Sequence, residues 1–478
     1  MYLGIDLGTS GVKALLMDDS QRVIGSETAP LTVSRQHPGW SEQAPADWVA
    51  ATERALDALH AAHGLGRVRG IGLSGQMHGA VCMDAGGAVL RPAILWNDTR
   101  SHAEAAALDG DPQFRAISGN IVFPGFTAPK LVWMARHEAG LFARVACVLL
   151  PKDYLRLWLT GERVAEMSDA AGTSWMDVGA RDWSDALLTA SGMRRDQMPA
   201  LVEGSAPSGM LRRRLAERWG MGGDVVVAGG AGDNAATAIG AGTIGAGQGF
   251  VSLGTSGVLF AASERYLPAP ETAVHAFCHA LPGRWHQMGV ILAASDALAW
   301  LSRVLGADAA DLTAGLGDLR APGEAMFLPY LSGERTPHND AAARGLFAGL
   351  SPATDRDAMV RAVLEGVAFA LADNLAALRA AGAHLDAVLA LGGGARSGYW
   401  LRVIATALDL PVLLPEGGDF GAAFGAARLG LMAATGAAPD AVCSAPAIAA
   451  ETAPDAALRD AFAAAQGRFR GLYPAARG

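Results

Sequence analysis

Short apolar runs, each of strand length, flank the same glycine-rich turn at two points of the chain. An apolar run from Tyr2 to Ile5 leads into Gly8-Thr9-Ser10-Gly11, and a second run from Val12 to Met17 follows. That pattern predicts a β-hairpin. The six letters Leu7-Gly8-Thr9-Ser10-Gly11-Val12 return as Leu253-Gly254-Thr255-Ser256-Gly257-Val258, 246 residues later, between the runs Phe250 to Ser252 and Val258 to Ala262. The interval is about half the chain and predicts two related lobes, each opening with a hairpin whose turn offers hydroxyls and backbone N–H groups.

Behind the first hairpin the pattern predicts a third strand near Val23 to Thr28, a loop holding Pro38-Gly39-Trp40-Ser41, a helix from Ala46 to Ala62 and a strand from Val68 to Leu73. The second half predicts a helix from Met359 to Ala381, a strand from Ala387 to Leu391 and the loop Gly392-Gly393-Gly394. The order of three strands, a helix and a strand is that of an actin-like or ribonuclease H-like ATPase lobe, although other α/β folds share the periodicity. The expected fold is therefore α/β, with two actin-like lobes and a catalytic cleft between them. The N-terminal lobe would span 1–243, the C-terminal lobe 249–436 and a helical tail 437–478.

Length and composition agree with that plan. A chain of 478 residues exceeds the roughly 250–300 at which single cores stop growing, and 51% apolar with 18% charged residues describes a globular interior. The net charge of -9 and the lack of a long basic run exclude nucleic acid and acidic membrane surfaces as expected partners. Cys82, Cys147, Cys278 and Cys443 lie far apart with no Cys-x-x-Cys pair, and read as reduced core residues. No leader or membrane span is read from the sequence, so the cytoplasm is the expected location.

Several residues point to phosphoryl chemistry. Asp6 ends a strand beside the Thr9-Ser10 turn, where a carboxylate suits magnesium or its waters, or else caps the turn. Lys13 behind the turn faces either phosphate or solvent. Asp233, in Gly232-Asp233-Asn234, follows the apolar run Val225 to Ala228 and opens a helix, so it is an N-cap or a base for a hydroxyl proton. Gly392-Gly393-Gly394-Ala395-Arg396-Ser397 lets backbone approach a base or a phosphate. Gln76-Met77-His78-Gly79, Trp96-Asn97-Asp98-Thr99-Arg100 and Leu331 to Pro337 carry the amide, carboxylate, guanidinium and ring groups that bind sugars, or equally form loop networks. Gly240-x-Gly242-x-x-Gly245 fits a dinucleotide fingerprint in letters but follows a helix-like stretch, and the only lysines, Lys13, Lys130 and Lys152, complete no Walker A motif.

Taken together, Gly4 to Ser10, Gln76 to Gly79, Trp96 to Asp98, Gly232 to Asn234, Leu253 to Gly257 and the Gly392 loop resemble, in order and spacing, the FGGY carbohydrate kinase family over nearly the whole chain. Gly125 to Trp133 is similar to that family's first signature, and Tyr330 to Asn339 to its members that act on D-xylulose. The resemblance implies ATP-dependent phosphorylation of D-xylulose to D-xylulose 5-phosphate, feeding xylose catabolism into the pentose phosphate pathway. It implies Asp233 as general base with Asn234 beside it, and Gln76, Met77, His78, Trp96 and Asp98 around the sugar. It further implies Asp6 with Thr9 and Ser10 at magnesium and the moving phosphoryl group, and Thr255, Gly393, Gly394 and Ser397 at ATP. A homodimer follows by family analogy. Where the family tends to show Ala-Leu-Gly-Ala-Ala, this chain has Ala423-Phe424-Gly425-Ala426-Ala427, which places a phenylalanine beside the expected nucleotide pocket. Kinases of ribulose, gluconate or glycerol share the phosphate machinery, and an actin-like chaperone or filament ATPase would share the hairpins but hydrolyse ATP indifferently to sugars.

Overall fold

A computed structural model describes residues 1–417 and 421–477. The first half contributes β1 (Tyr2–Leu7), β2 (Gly11–Met17), β3 (Val23–Pro30), α1 (Pro45–His63), β4 (Gly70–Gly75), α2 (Pro151–Thr160), β5 (Pro207–Met210), β6 (Val226–Ala228), β7 (Ala231–Gly232) and α3 (Asp233–Ala241). The second contributes β8 (Gly249–Leu253), β9 (Gly257–Ser263), α4 (Ser295–Leu305), α5 (Arg356–Ala380), β10 (Val388–Leu391), α6 (Gly398–Leu408), β11 (Val412–Pro415), α7 (Ala422–Thr435), β12 (Ile448–Thr452) and α8 (Arg459–Ala476).

Two compact units result, and neither is one stretch of sequence. The first takes residues 1–244, 277–285 and 421–445, and the second takes 245–276, 286–417 and 446–477. The expected linear division at 243–249 and 436 is interrupted by the segment 421–445, which returns to the first unit.

In the first unit the sheet runs β5-β6-β4-β1-β2-β3, with β7 also pairing β4. Buried Trp48, Thr52, Ala55, Leu56 and Leu59 recur at helical spacing along α1, which Pro45 opens and Gly64 closes. The other feature that shapes this unit is the seating of α7. A Cβ on Gly72 of β4 would lie 1.8 Å from the Ala426 carbonyl oxygen, and one on Gly425 of α7 would lie 1.7 Å from that of Ala236 in α3. Glycines on both partners let backbone meet backbone, so the Ala-Phe-Gly-Ala-Ala run is a packing device. Phe424 is buried in this core, with the Arg428 guanidinium 4.7 Å from its ring centroid.

The second unit centres on β8, antiparallel to β9 and parallel to β10, within a seven-stranded sheet that ends β10-β11-β12. The tail expected to be helical also holds a strand: β12 pairs with β11, Val412 opposite Thr452. Phe462, Ala465 and Phe469 then bury one face of α8, with Phe469 5.6 Å from Phe369 of α5.

The repeated hexapeptide forms both hairpins but in two registers. Leu7 faces Val12 in the first, whereas Leu253 faces Gly257 in the second. A slip of one residue turns alternate side chains to the other face, and Val12 is accordingly buried while Val258 is half-buried.

Candidate active site

Parallel pairing brings Asp6 and Asp233 to one edge of the first unit's sheet. Ser74 of β4 is opposite Asp6 on one side and Ala231 on the other, and Gly75 is opposite Leu7 and Gly232. Asp6 and Asp233 are thus carried at the carboxyl ends of strands two sheet spacings apart, about 10 Å. Each keeps part of its surface open. Burial, with the Asp6 charge adding to it, pushes Asp233 up to about 6. Asp6 is raised by burial too, and the Lys13 ammonium opposite it in the hairpin offsets part of that.

Asp233 is the first residue of α3, and one of its oxygens is held: Oδ1 accepts from the Asn234 backbone N–H at 2.7 Å and from its Nδ2 at 2.9 Å. Oδ2 has no hydrogen-bond partner among the described residues. Below the turn lies a charge cluster that the sequence reading missed. Lys152 Nζ reaches Asp153 at 2.7 Å, Asp169 at 3.0 Å and Glu166 at 3.2 Å, and Arg156 reaches Asp153 at 2.8 Å, all with fully buried side chains. Three carboxylates face two cations, and burial pushes Asp169 well above the ordinary carboxylate range, so a proton there balances the cluster. Glu166 accepts from the Ser168 hydroxyl at 2.9 Å, Ser168 Oγ accepts the Gly232 N–H at 3.1 Å, and Arg156 donates to the Gly229 carbonyl. The cluster therefore fixes both ends of the Gly229–Gly232 turn that presents Asp233.

The Thr9 turn is fixed by a hydrogen-bond circuit. Trp96 Nε1 donates to Thr9 Oγ1 at 3.0 Å, Thr9 Oγ1 donates to Gln76 Oε1 at 3.0 Å, and Gln76 Nε2 donates to Gln43 Oε1 at 3.1 Å. Gln43 Nε2 closes the circuit on the Thr9 carbonyl at 2.8 Å. Gln43, buried ahead of α1, carried no signal in the sequence beyond a polar residue beside a helix start. Trp96 remains 46% exposed and Ser10 is exposed.

Met77 and His78 join this side of the unit. Gly232 has no Cβ, and one placed there would sit 2.9 Å from Met77 Sδ. His78 has φ 69°, rare for a residue with a side chain, and is held there on several sides. Its carbonyl accepts from Thr127 Oγ1 at 3.1 Å and Lys130 Nζ at 2.7 Å, and its ring stacks on Phe126 at 4.4 Å. Its Nδ1 lies 2.7 Å from the Gly172 carbonyl, which can only accept, so Nδ1 carries a proton. The Gly125 to Trp133 motif thereby acquires a purpose, since burial pushes Lys130 down to about 7 while it ties His78 to Gly125.

Asp98 points elsewhere. It is buried, and its oxygens accept from Ser41 N at 2.6 Å, Arg100 Nη2 at 2.6 Å, Arg100 Nε at 2.9 Å and Arg100 N at 2.9 Å. Arg100 in turn pairs with Glu42 at 2.7 Å and lies 3.5 Å from the Trp40 ring centroid. Asp98 thus pins the Pro38–Ser41 loop behind Trp96.

In the second unit, Thr255 is exposed at the β8–β9 turn, whose Gly254 and Thr255 carbonyls accept Ser295 N at 2.9 Å and Ala294 N at 2.8 Å at the start of α4. Gly394 packs against the end of β8, where an added Cβ would meet that of Leu253 at 2.8 Å. Gly393 faces open space, with nothing within 4 Å of an added Cβ. Ser397 caps α6, its Oγ accepting from Trp400 N at 3.3 Å. Glu334, buried and raised to about 8 by that burial, accepts from Leu292 N at 3.1 Å and Arg335 N at 2.7 Å. Gly240 to Gly245 ends α3, with Gly242 left-handed at its C-cap, and so opens no dinucleotide helix.

Among the described residues no three His, Cys, Asp or Glu side chains converge as a metal site. The half-open carboxylate of Asp6 nevertheless fits magnesium that arrives with nucleotide, which needs as few as one protein carboxylate and completes its shell with phosphates and water. No described helix is long and apolar enough to cross a membrane.

Two sheet-built units, each opening with a glycine-turn hairpin, define a two-lobed actin-like kinase. More closely, the chain belongs to the FGGY family of carbohydrate kinases, whose N-terminal domain matches residues 1–240 and whose C-terminal domain matches residues 249–434. The xylulose kinase of Escherichia coli K12 is 52% identical over 437 residues, 91% of this chain and 90% of its own. A crystal structure described as a xyloylose kinase from Brucella ovis is 62% identical with a TM-score of 0.97, over 99% of both chains. The xylulose kinase structure from Rhodospirillum rubrum is 30% identical with a TM-score of 0.92, over 99% of this chain and 98% of its own.

Proposed function

We propose that the protein phosphorylates D-xylulose with ATP to give D-xylulose 5-phosphate and ADP. The high identity to xylulose kinases supports the substrate. The observation that carries the chemistry is the state of Asp233: one oxygen held by Asn234, the other unengaged, and a basicity near neutral pH suited to taking a hydroxyl proton. Asp233 Oδ2 accepts the proton of the terminal sugar hydroxyl, the sugar oxygen forms a bond to the γ-phosphorus, and the bond from that phosphorus to the departing ADP oxygen breaks. Asp6 and the Thr9–Ser10 turn would hold the magnesium of MgATP and the moving phosphoryl group, and the metal would neutralise negative charge on the phosphate oxygens. Gln76, Met77, His78 and the open face of Trp96 bound the sugar, with Asp98 supporting that wall from behind. Thr255, Gly393 and Gly394 meet the nucleotide. The product would enter the pentose phosphate pathway from xylose catabolism.

The test is sugar-dependent ADP release with magnesium and ATP, comparing D-xylulose with D-ribulose, L-ribulose, gluconate and glycerol at equal concentration. A strong preference for D-xylulose is expected. Preference for another polyol would keep the chemistry and move the substrate, and ADP release indifferent to every sugar would overturn the kinase reading.

A further inference from the structure

The second unit contains a cavity of about 300 Å³ that none of the residues assigned above lines. Its wall combines the loop around Arg320 and Glu324, the turn after Gly349, and the first turns of α5 with Arg361 and Glu365. Gly349 keeps that wall thin: it has φ 70°, and a Cβ there would lie 2.1 Å from the Glu324 carbonyl oxygen.

What distinguishes the cavity is unused hydrogen-bonding capacity. Glu365 is only 4% exposed, yet its carboxyl makes no hydrogen bond or ion pair with any described residue. Arg361, half-buried, and Arg320, at the rim, are likewise without a hydrogen-bonding or ion-pair partner among the described residues. The buried Tyr399 hydroxyl also lacks a hydrogen-bond partner and lies within electrostatic reach of Glu365, Arg361 and Arg320. Buried polar groups are nearly always satisfied, so the Glu365 carboxyl at the cavity wall, with Arg361 and Arg320 beside it and the Tyr399 hydroxyl behind, points to a missing partner. Burial also pushes Glu365 up to about 8, which leaves it mostly protonated at neutral pH and removes the negative charge that would repel an anion.

We propose that this cavity binds a small phosphorylated polyol. Arg320 and Arg361 supply the forked donors that suit a phosphate, while Glu365 can exchange hydrogen bonds with hydroxyls or phosphate oxygens. The volume lies at the low end of small-molecule sites, a size for a sugar phosphate rather than a nucleotide. The inference goes beyond the proposed reaction and does not depend on which sugar is phosphorylated.

The test is isothermal titration calorimetry of the full chain with D-ribose 5-phosphate, already phosphorylated at its terminal hydroxyl, and with inorganic phosphate. The expected result is saturable binding of D-ribose 5-phosphate that weakens at least about tenfold in Arg320→Ala and in Arg361→Gln, the loss of one charge-assisted contact, and is unchanged in Asp233→Asn. Inorganic phosphate should bind more weakly with the same dependence on the two arginines. Should Arg361→Gln fail to fold, the exposed Arg320→Ala decides alone. No saturable binding to the unmodified chain, or binding that persists in Arg320→Ala and is lost in Asp233→Asn, would overturn the proposal.

Discussion

Asp233 sits two residues beyond the level of Asp6 on the far side of β4, and the negative charge of Asp6 helps keep the Asp233 carboxyl protonated up to about pH 6. The pair shares one sheet edge but divides the labour: one carboxylate is oriented by its helix, the other by its hairpin.

Asp233→Ala is expected to lower turnover by at least about a hundredfold while barely changing the affinity for sugar, as loss of a general base does. Steady-state kinetics together with sugar binding by calorimetry checks this, and near-normal turnover would remove Asp233 from the base role.

The acid limb of kcat/KM should fall near pH 6, because only the ionised Asp233 can accept a proton. Asp6→Asn removes the neighbouring charge, lowers the Asp233 pKa and should move that limb to lower pH, whatever it does to the overall rate. A limb that stays in place would show that the two carboxylates are uncoupled.

The same shift carries a stability signature. The folded pKa of Asp233 lies above its unfolded value, so the folded state binds the proton more tightly and this group's contribution falls as pH rises from about 4 to about 6. The rise is equivalent to about 3 kcal/mol for a sealed group, and less for one with an open face. Asp233→Asn should therefore stabilise the ligand-free protein at pH 8 by about 1–2 kcal/mol and by little at pH 4. Thermal melts at both pH values provide the comparison.

Ser168→Ala should lower kcat more than it changes KM, because it strips the acceptor from the Gly232 amide directly before the base. The stability cost is about 1–3 kcal/mol for an orphaned buried donor. Lys152→Met should cost more, about 3–5 kcal/mol, since it leaves buried carboxylates without their main cation. An unchanged kcat in folded Ser168→Ala would show that the cluster does not act through the Ser168 link.

Glycine substitutions should divide sharply. Gly72→Ala forces a Cβ into the Ala426 carbonyl and is expected to abolish soluble folded protein, whereas Gly393→Ala meets nothing and should leave the melting temperature unchanged. A rise in KM for ATP in folded Gly393→Ala would tie that loop to the nucleotide, and an unchanged KM would detach it.

Local pattern carried far in this chain. The strands of both hairpins, α1 and α5 follow from runs and spacings that a window of a dozen residues contains. Partners distant in sequence did not. The two hexapeptide copies take different registers because the face that must be buried is set by the rest of each sheet. Asp98 looks like a pocket carboxylate until Ser41 and Arg100 are seen to consume it. Lys152, Glu166 and Ser168 are ordinary letters of a helix and a loop, and only the fold brings them under Gly232. Alanines conceal β12, and the small residues of α7 give no hint of which sheet they will cover.

That last ambiguity has a consequence for how the protein is made. Gly4 and Gly72 leave a backbone-deep groove that α7 fills, and α7 follows most of the second unit along the chain. The first unit must wait, its sheet uncovered, while almost the whole of the second is synthesised. A fragment ending near residue 243 would keep Gln76, Met77, His78, Trp96 and Asp233 and still lack the helix that seals its sheet.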